Sequence, residues 1–167
     1  MTYLKISSIF SKITLFSVLG ASPTACLAEP FCDGLKRVLG ETSTLFKGLR
    51  GDFDFEVDKY RATVQLGQLR TCFTEGNSHV MHYRCSTSIG SDNDAEADST
   101  LRTLTSATLE CLGSNRVKIS RRTERNVNLK LSPDGNDISI RKHLARPESA
   151  QPYYRIIFEI TVVDLNK

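Results

Sequence analysis

Tyr153-Tyr-Arg-Ile-Ile-Phe-Glu-Ile-Thr-Val-Val163 is the most apolar segment of the chain after its N-terminal stretch. At a period of two, Tyr154, Ile156, Phe158, Ile160 and Val162 share one face, while Tyr153, Ile157 and Val163 lie opposite. A strand that is apolar on both sides belongs in the interior of a sheet. The last strand is therefore expected to return to the middle.

Reading back from it, Val117–Arg121, Asn126–Leu131 and Asp137–Lys142 alternate as strands, the last two joined by the turn Ser132-Pro-Asp-Gly-Asn136. Ala145–Pro152, with two prolines, reads as an exposed loop. Before them, Ala97, Leu101, Leu104, Thr108 and Cys111 form a helical stripe. It is entered through the acidic run Asp92, Asp94, Glu96 and Asp98, which favours the positive end of the helix dipole, and Gly113 is its stop. Earlier still, Phe53–Val57, Tyr60–Leu66, Leu69–Phe73 and His79–Ser86 read as strands. The last two are joined at Glu75-Gly-Asn-Ser78, with Gly76 and Asn77 at the tip. Cys32, Leu35, Val38, Leu39, Leu45, Phe46 and Leu49 are spaced three and four apart, which predicts a helix over 31–49. Runs of strands between two isolated helices predict an α+β fold: an antiparallel sheet of six to seven strands with both helices on one face. The order suggests two similar halves, but their sequences do not match in register.

Lys5 and Lys12, the apolar run Ile13–Leu19 and the small-residue end Cys26-Leu-Ala28 read as a cleavable secretory signal over residues 1–28. Residues 29–167 form one domain, and no later segment reaches the roughly 20 apolar residues of a membrane span. The expected location is periplasmic or secreted. Behind the signal stand Cys32, Cys72, Cys85 and Cys111, an even number that suits two disulfides in an oxidising compartment. A hairpin with Gly76 and Asn77 at its tip sets Cys72 opposite Met81. Cys72 and Cys85 are then four positions apart along the ladder, roughly 13 Å, against a bridging limit of about 7 Å. That register disfavours Cys72–Cys85. It leaves Cys32–Cys72 with Cys85–Cys111 as the preferred pairing and Cys32–Cys85 with Cys72–Cys111 as the alternative, each stapling a helix to a strand.

The net charge of +3 hides an asymmetry: residues 29–114 carry nine Lys and Arg against thirteen Asp and Glu, and residues 115–167 carry eleven against six. Arg116, Lys118, Arg121, Arg122, Arg125, Arg141 and Lys142 are the candidate partner-binding residues, expected to form one basic outer face of the sheet. Such a face suits a protein or an anionic envelope component, and it steers association. Nucleic acid is not expected, since an exported chain without interleaved aromatics lacks the signature.

No residue pattern supports catalysis, a cofactor or a metal. His79 and His82 fall on opposite faces of a strand and cannot close on one ion. The acidic run lacks the glycine and later glutamate of a calcium loop. Nucleophile-elbow, zinc-hydrolase and phosphate-loop motifs are missing. The expectation is a binding protein, such as an inhibitor, an immunity-type protein or an envelope accessory factor. A small hydrolase assembled only in three dimensions and a structural envelope protein are the alternatives.

Overall fold

The computed structural model describes residues 25–132 and 135–163. Of the expected secretory signal, residues 1–24 lie outside the described residues, as do Pro133 and Asp134 of the turn after residue 131. Helix α1 (Ala25–Gly40) leads through two 3₁₀ turns (Thr42–Thr44 and Lys47–Leu49) into strands β1 (Arg50–Asp54), β2 (Lys59–Ala62), β3 (Thr71–Gly76) and β4 (Val80–Gly90). Helix α2 (Asp94–Leu112) then precedes β5 (Val117–Arg122), β6 (Asn126–Leu131), β7 (Asp137–Ala145) and β8 (Tyr153–Val163).

The eight strands form one antiparallel sheet in the order β1-β2-β3-β4-β8-β7-β6-β5. The fold is α+β, with one strand more than the upper expectation. Each helix is followed by a four-stranded meander, and the last strands of the two meanders pair with each other from Val80↔Val163 to Gly90↔Tyr153. The halves hinted at by element order thus join edge to edge. As its apolar run requires, β8 lies between β4 and β7.

Both helices lie over the face that carries the even-numbered β8 residues. Ile156, Phe158 and Ile160 are fully buried there. Phe31 of α1 meets Phe158 edge-on at 5.8 Å, and α2 packs on β7, β8 and α1. Along α2, Ala97, Leu101, Leu104 and Thr108 face inward as their spacing predicts, and Gly113 ends the helix with φ 77°. The Thr105 and Thr108 hydroxyls donate to the carbonyls four residues back, so neither is buried without a partner.

Two expectations are corrected. The first helix stops at Gly40, well short of residue 49. The run Thr42-Ser-Thr44 offers competing local bonds: Thr42 Oγ1 donates to the Leu39 carbonyl at 2.9 Å and Thr44 Oγ1 to the Glu41 carbonyl at 3.0 Å. Leu45 and Phe46 then adopt left-handed backbone, φ 54° and 58°. That costs each about 1–2 kcal/mol, and complete burial of Phe46 and Leu49, about 1.5–3 kcal/mol apiece, offsets it. The spacing signalled burial and was met by 3₁₀ turns.

The second correction is the disulfide pairing, which is Cys32–Cys111 and Cys72–Cys85. In the hairpin Gly76 pairs with Met81, so Cys72 lies directly opposite Cys85, with Cα atoms 4.0 Å apart. The tip lies two residues later than expected because Asn77 Oδ1 accepts from both the His79 and Val80 amides, at 2.8 and 2.9 Å. Moving a hairpin tip by two residues moves every partner by four. One bridge therefore staples helix to helix and the other strand to strand. Two bridges within one chain fit an oxidising compartment outside the cytoplasm. Among the described residues no helix is long and apolar enough to cross a membrane.

Candidate functional site

The sheet face away from the helices is uncovered, and parity decides what it shows. From β4 come His82, Arg84, Ser86 and Ser88; from β8 come Arg155, Ile157 and Glu159. A ladder of alternating charge crosses five strands. Lys59 on β2 pairs with Glu75 on β3, Arg84 on β4 bridges Glu75 and Glu159, and Arg141 on β7 reaches Glu159. Arg84 Nε donates to Glu159 Oε2 at 2.6 Å, and Arg141 Nη2 donates to the same oxygen at 3.0 Å. Such partly exposed pairs add little stability, up to about 1 kcal/mol each. Their effect is to hold the long side chains in fixed positions on an open surface.

Beside this ladder runs an open groove of about 970 Å³. Phe73 and Ile157 supply apolar surface, and Lys59, Arg70, Arg84 and Arg155 supply positive charge. Glu96 is the one carboxylate among the described lining residues. Arg70 and Arg155 are exposed, and Arg155 rests on the Tyr153 ring and donates to its hydroxyl at 2.7 Å. The Cys72–Cys85 bridge underlies this region, because Phe73, Arg84 and Ser86 are the immediate neighbours of the bridged cysteines. At one end Val57 leads to the β1–β2 tip. There Phe55 is 88% exposed and Phe53 packs edge-on against both Phe55 and Tyr60, each at 4.9 Å.

The seven basic candidates do not share one face. Lys118, Arg121 and Arg141 lie on the helix-free side, opposite Lys130, Asn128 and Ile157. A bulge between Ile119 and Arg121 resets the parity of β5, so Arg122 faces the helix side and lines a second cavity of about 440 Å³ with Asp98 and Arg102. Arg125 lies in the β5–β6 connection, where its carbonyl accepts from the Lys142 amide, and Arg116 precedes β5.

Lys142 lies opposite Ile156 on the helix-bearing face, its side chain only 7% exposed. Nζ donates to Asp94 at 3.0 Å and also to Asp98. Burial pulls the lysine pKa down, but the hydrogen bonds to Asp98 and Asp94 outweigh it, and the pKa ends above its ordinary value. The hydrogen bonds that Asp94 receives from Lys142 and Tyr154 hold its carboxyl below the usual range. Two of the four residues in the acidic run thus clamp the start of α2 to the sheet.

Of the histidines, His79 is exposed in the hairpin turn and His143 is exposed on β7. His82 Nδ1 lies 3.0 Å from Thr161 Oγ1 and 3.9 Å from Glu159 Oε1. That carboxylate is already engaged by two guanidinium groups, which leave it buried beneath them. No three His, Cys, Asp or Glu side chains among the described residues converge on a point that would hold a metal ion. The arrangement is suited to holding charge and backbone in place.

Sequence reasoning missed Arg70, Arg84 and Arg155. Charge counted by halves concealed them, since residues 29–114 are acidic overall. Parity along β8 placed Arg155 opposite the core-facing set, and the correct hairpin register would have set Arg84 beside Phe73. No protein-family model, curated protein or solved structure matches this chain, so its function is read from this surface.

Proposed function

We propose that this is an exported binding protein that holds another protein in the groove that opens on its helix-free sheet face and reaches α2. One observation carries the reading: a recess of about 970 Å³ in which Arg70 and Arg155 have no carboxylate partner among the described residues, while Lys59 and Arg84 are held in the ladder by Glu75 and Glu159, beside apolar surface from Phe73 and Ile157. Charge of one sign in a concave surface raises the encounter rate with an acidic partner and falls off with salt. Preformed geometry lowers the ordering cost of binding. Two features here preform it, the charge ladder and the bridge beneath the groove. Lys118 and Arg121, exposed on β5 three strands beyond β8, lie past the screening length of about 8 Å and add little to the groove's field. An inhibitor, an immunity-type protein or an envelope accessory factor would each use such a surface.

Release into the periplasm or the medium after cleavage near Ala28 is part of this proposal. With residues 1–28 removed, Pro30 would fall in the first turn of α1, where a missing N–H costs nothing. In the uncleaved chain it lies inside the helix. The test is capture of partners from an envelope extract on the oxidised protein, with a salt gradient to release them. A stoichiometric protein lost from an Arg70→Glu/Arg155→Glu variant supports the reading. Capture of an anionic polymer, or of a protein indifferent to both substitutions, overturns it.

A further inference from the structure

Strand β4 is paired on both sides over only part of its length. β3 covers it as far as Ser86, opposite Thr71, while β8 continues to Gly90. Thr87–Gly90 therefore have a bare edge: among the described residues no strand pairs with them on the β3 side. The chain that would have extended β3 is turned aside. Gly67 takes φ 55°, and a Leu66↔Leu69 bridge folds the segment back with both leucines fully buried. Core packing fixes that turn, so the gap is built into the fold. Thr87, Ser88 and Ile89 line the groove, with Gln68 and Arg70 also on its wall.

Residues of an antiparallel strand alternate in offering N–H and C=O to one neighbour and then the other. Asn77 donates to the Val80 carbonyl across the hairpin, so the even-numbered residues of β4 face the β3 side. Ser88 offers both groups to the groove and Gly90 its N–H, the Gly90 carbonyl accepting from the Asn93 amide at 3.0 Å, an unfinished ladder with room for one more strand. The other edges are guarded in the usual ways. β5 carries Lys118, Arg121, Arg122 and a bulge, and β1 is short and bulged. Thr87-Ser-Ile-Gly90 has no charge and no bulge, and it is recessed.

The groove also selects side chains. On the helix-free face an added strand would lie beside Arg70 and one strand away from Arg155, which is opposite Ser88. Glu96 and Thr100 line the groove from α2. We infer that the partner supplies an extended segment that adds as a strand to Thr87–Gly90, with carboxylates at alternate positions facing Arg70 and Arg155. This rests on the groove being a protein-binding site and names the mode of recognition, backbone pairing along an edge with charge for specificity.

The probes are short capped peptides of alternating Glu and Val, or of Lys and Val, labelled for fluorescence anisotropy with the oxidised protein. The Glu peptide binds at least ~10-fold tighter than the Lys peptide, the equivalent of about one charge-assisted contact. N-methylation of its amides at one parity weakens binding a further ~10-fold or more, and at the other parity changes it little, because only alternate amides enter the ladder. The Ser88 and Gly90 amides, which face the added strand, gain protection from hydrogen exchange. Equal binding of both N-methyl series, equal binding of the Lys peptide, or no binding overturns the inference. A dimer of the protein alone that the peptide fails to dissociate also overturns it, assigning the edge to a second copy. Retained capture of a whole partner through Arg70 and Arg155 alongside any of these would leave the groove reading intact and remove only the strand addition.

Discussion

Replacing Cys32 and Cys111 together by Ser removes the bridge that joins the two helices, and the topology sets the size of the effect. The bridge spans a sequence separation of 79, and closing a loop of that length removes unfolded-state entropy worth about 4.5 kcal/mol. The corresponding figure for Cys72–Cys85, separated by 13, is about 3 kcal/mol. Cys32 and Cys111 are only half-buried, so the serine hydroxyls reach solvent and add little penalty of their own. Unfolding entropy for a domain of this length makes 1 kcal/mol worth roughly 3–4 °C, so Tm falls by about 15 °C. The m-value rises as well, because the unbridged unfolded chain exposes more surface. Guanidinium melts of oxidised wild type and variant, read by far-UV circular dichroism, give both quantities. A loss below about 1 kcal/mol with an unchanged m-value would refute the helix-to-helix staple. So would a non-reduced proteolytic map that links Cys111 to Cys85.

Three further outcomes are expected. Gly76→Ala places a methyl against the Val80 carbonyl oxygen at a backbone φ of 134°, so the β3–β4 turn must shift; denaturation should show a loss of about 2 kcal/mol, and an unchanged melt would contradict the turn geometry. Thr74 is fully buried, and its hydroxyl has no hydrogen-bond partner among the described residues; Thr74→Val should be neutral or stabilising by up to about 1 kcal/mol, and a clear loss would reveal a partner for that hydroxyl. Lys142→Met should lower Tm by a few degrees at neutral pH. Asp94 has a depressed pKa, so its share is present above the ordinary carboxylate range and lost as pH falls through its folded value. Lys142 has a raised pKa, so its share is present below the ordinary lysine range and lost as pH rises above it. A Tm difference between wild type and variant that stays flat below pH ~4 would rule out the clamp.

How much could be read in advance follows from the range of the forces involved. The position of β8 was legible from its long apolar run, although the second face that the run predicted to be buried is open: Ile157 lines the groove and Val163 is 52% exposed. The faces of α2 and its stop at Gly113 were legible because helical spacing and capping are local. The hairpin register depended on a single side chain: Asn77 accepts two amides, and the two-residue shift of the tip reassigned all four cysteines. The end of α1 turned on hydroxyls competing with the helix, against a spacing that correctly signalled burial. Lys142 shows the limit of reading charge as surface, since its side chain is buried under α2 while its Nζ reaches two carboxylates at the solvent-facing start of that helix. The groove was least legible. It is assembled from the start of β3, the turn at Gly67, the bare end of β4 and the start of β8, and those meet only once the strand order is known.

The most direct test is equilibrium binding of the captured partner to wild type, to Arg70→Glu/Arg155→Glu and to Arg121→Glu/Arg122→Glu, each with native circular dichroism and Tm. The groove pair should weaken binding by at least ~10-fold per reversed charge, with a reduced salt dependence, while the β5 pair changes it far less. Equal binding by wild type and the groove variant, or a loss confined to the β5 variant, would contradict the assignment of the helix-free groove as the site of function.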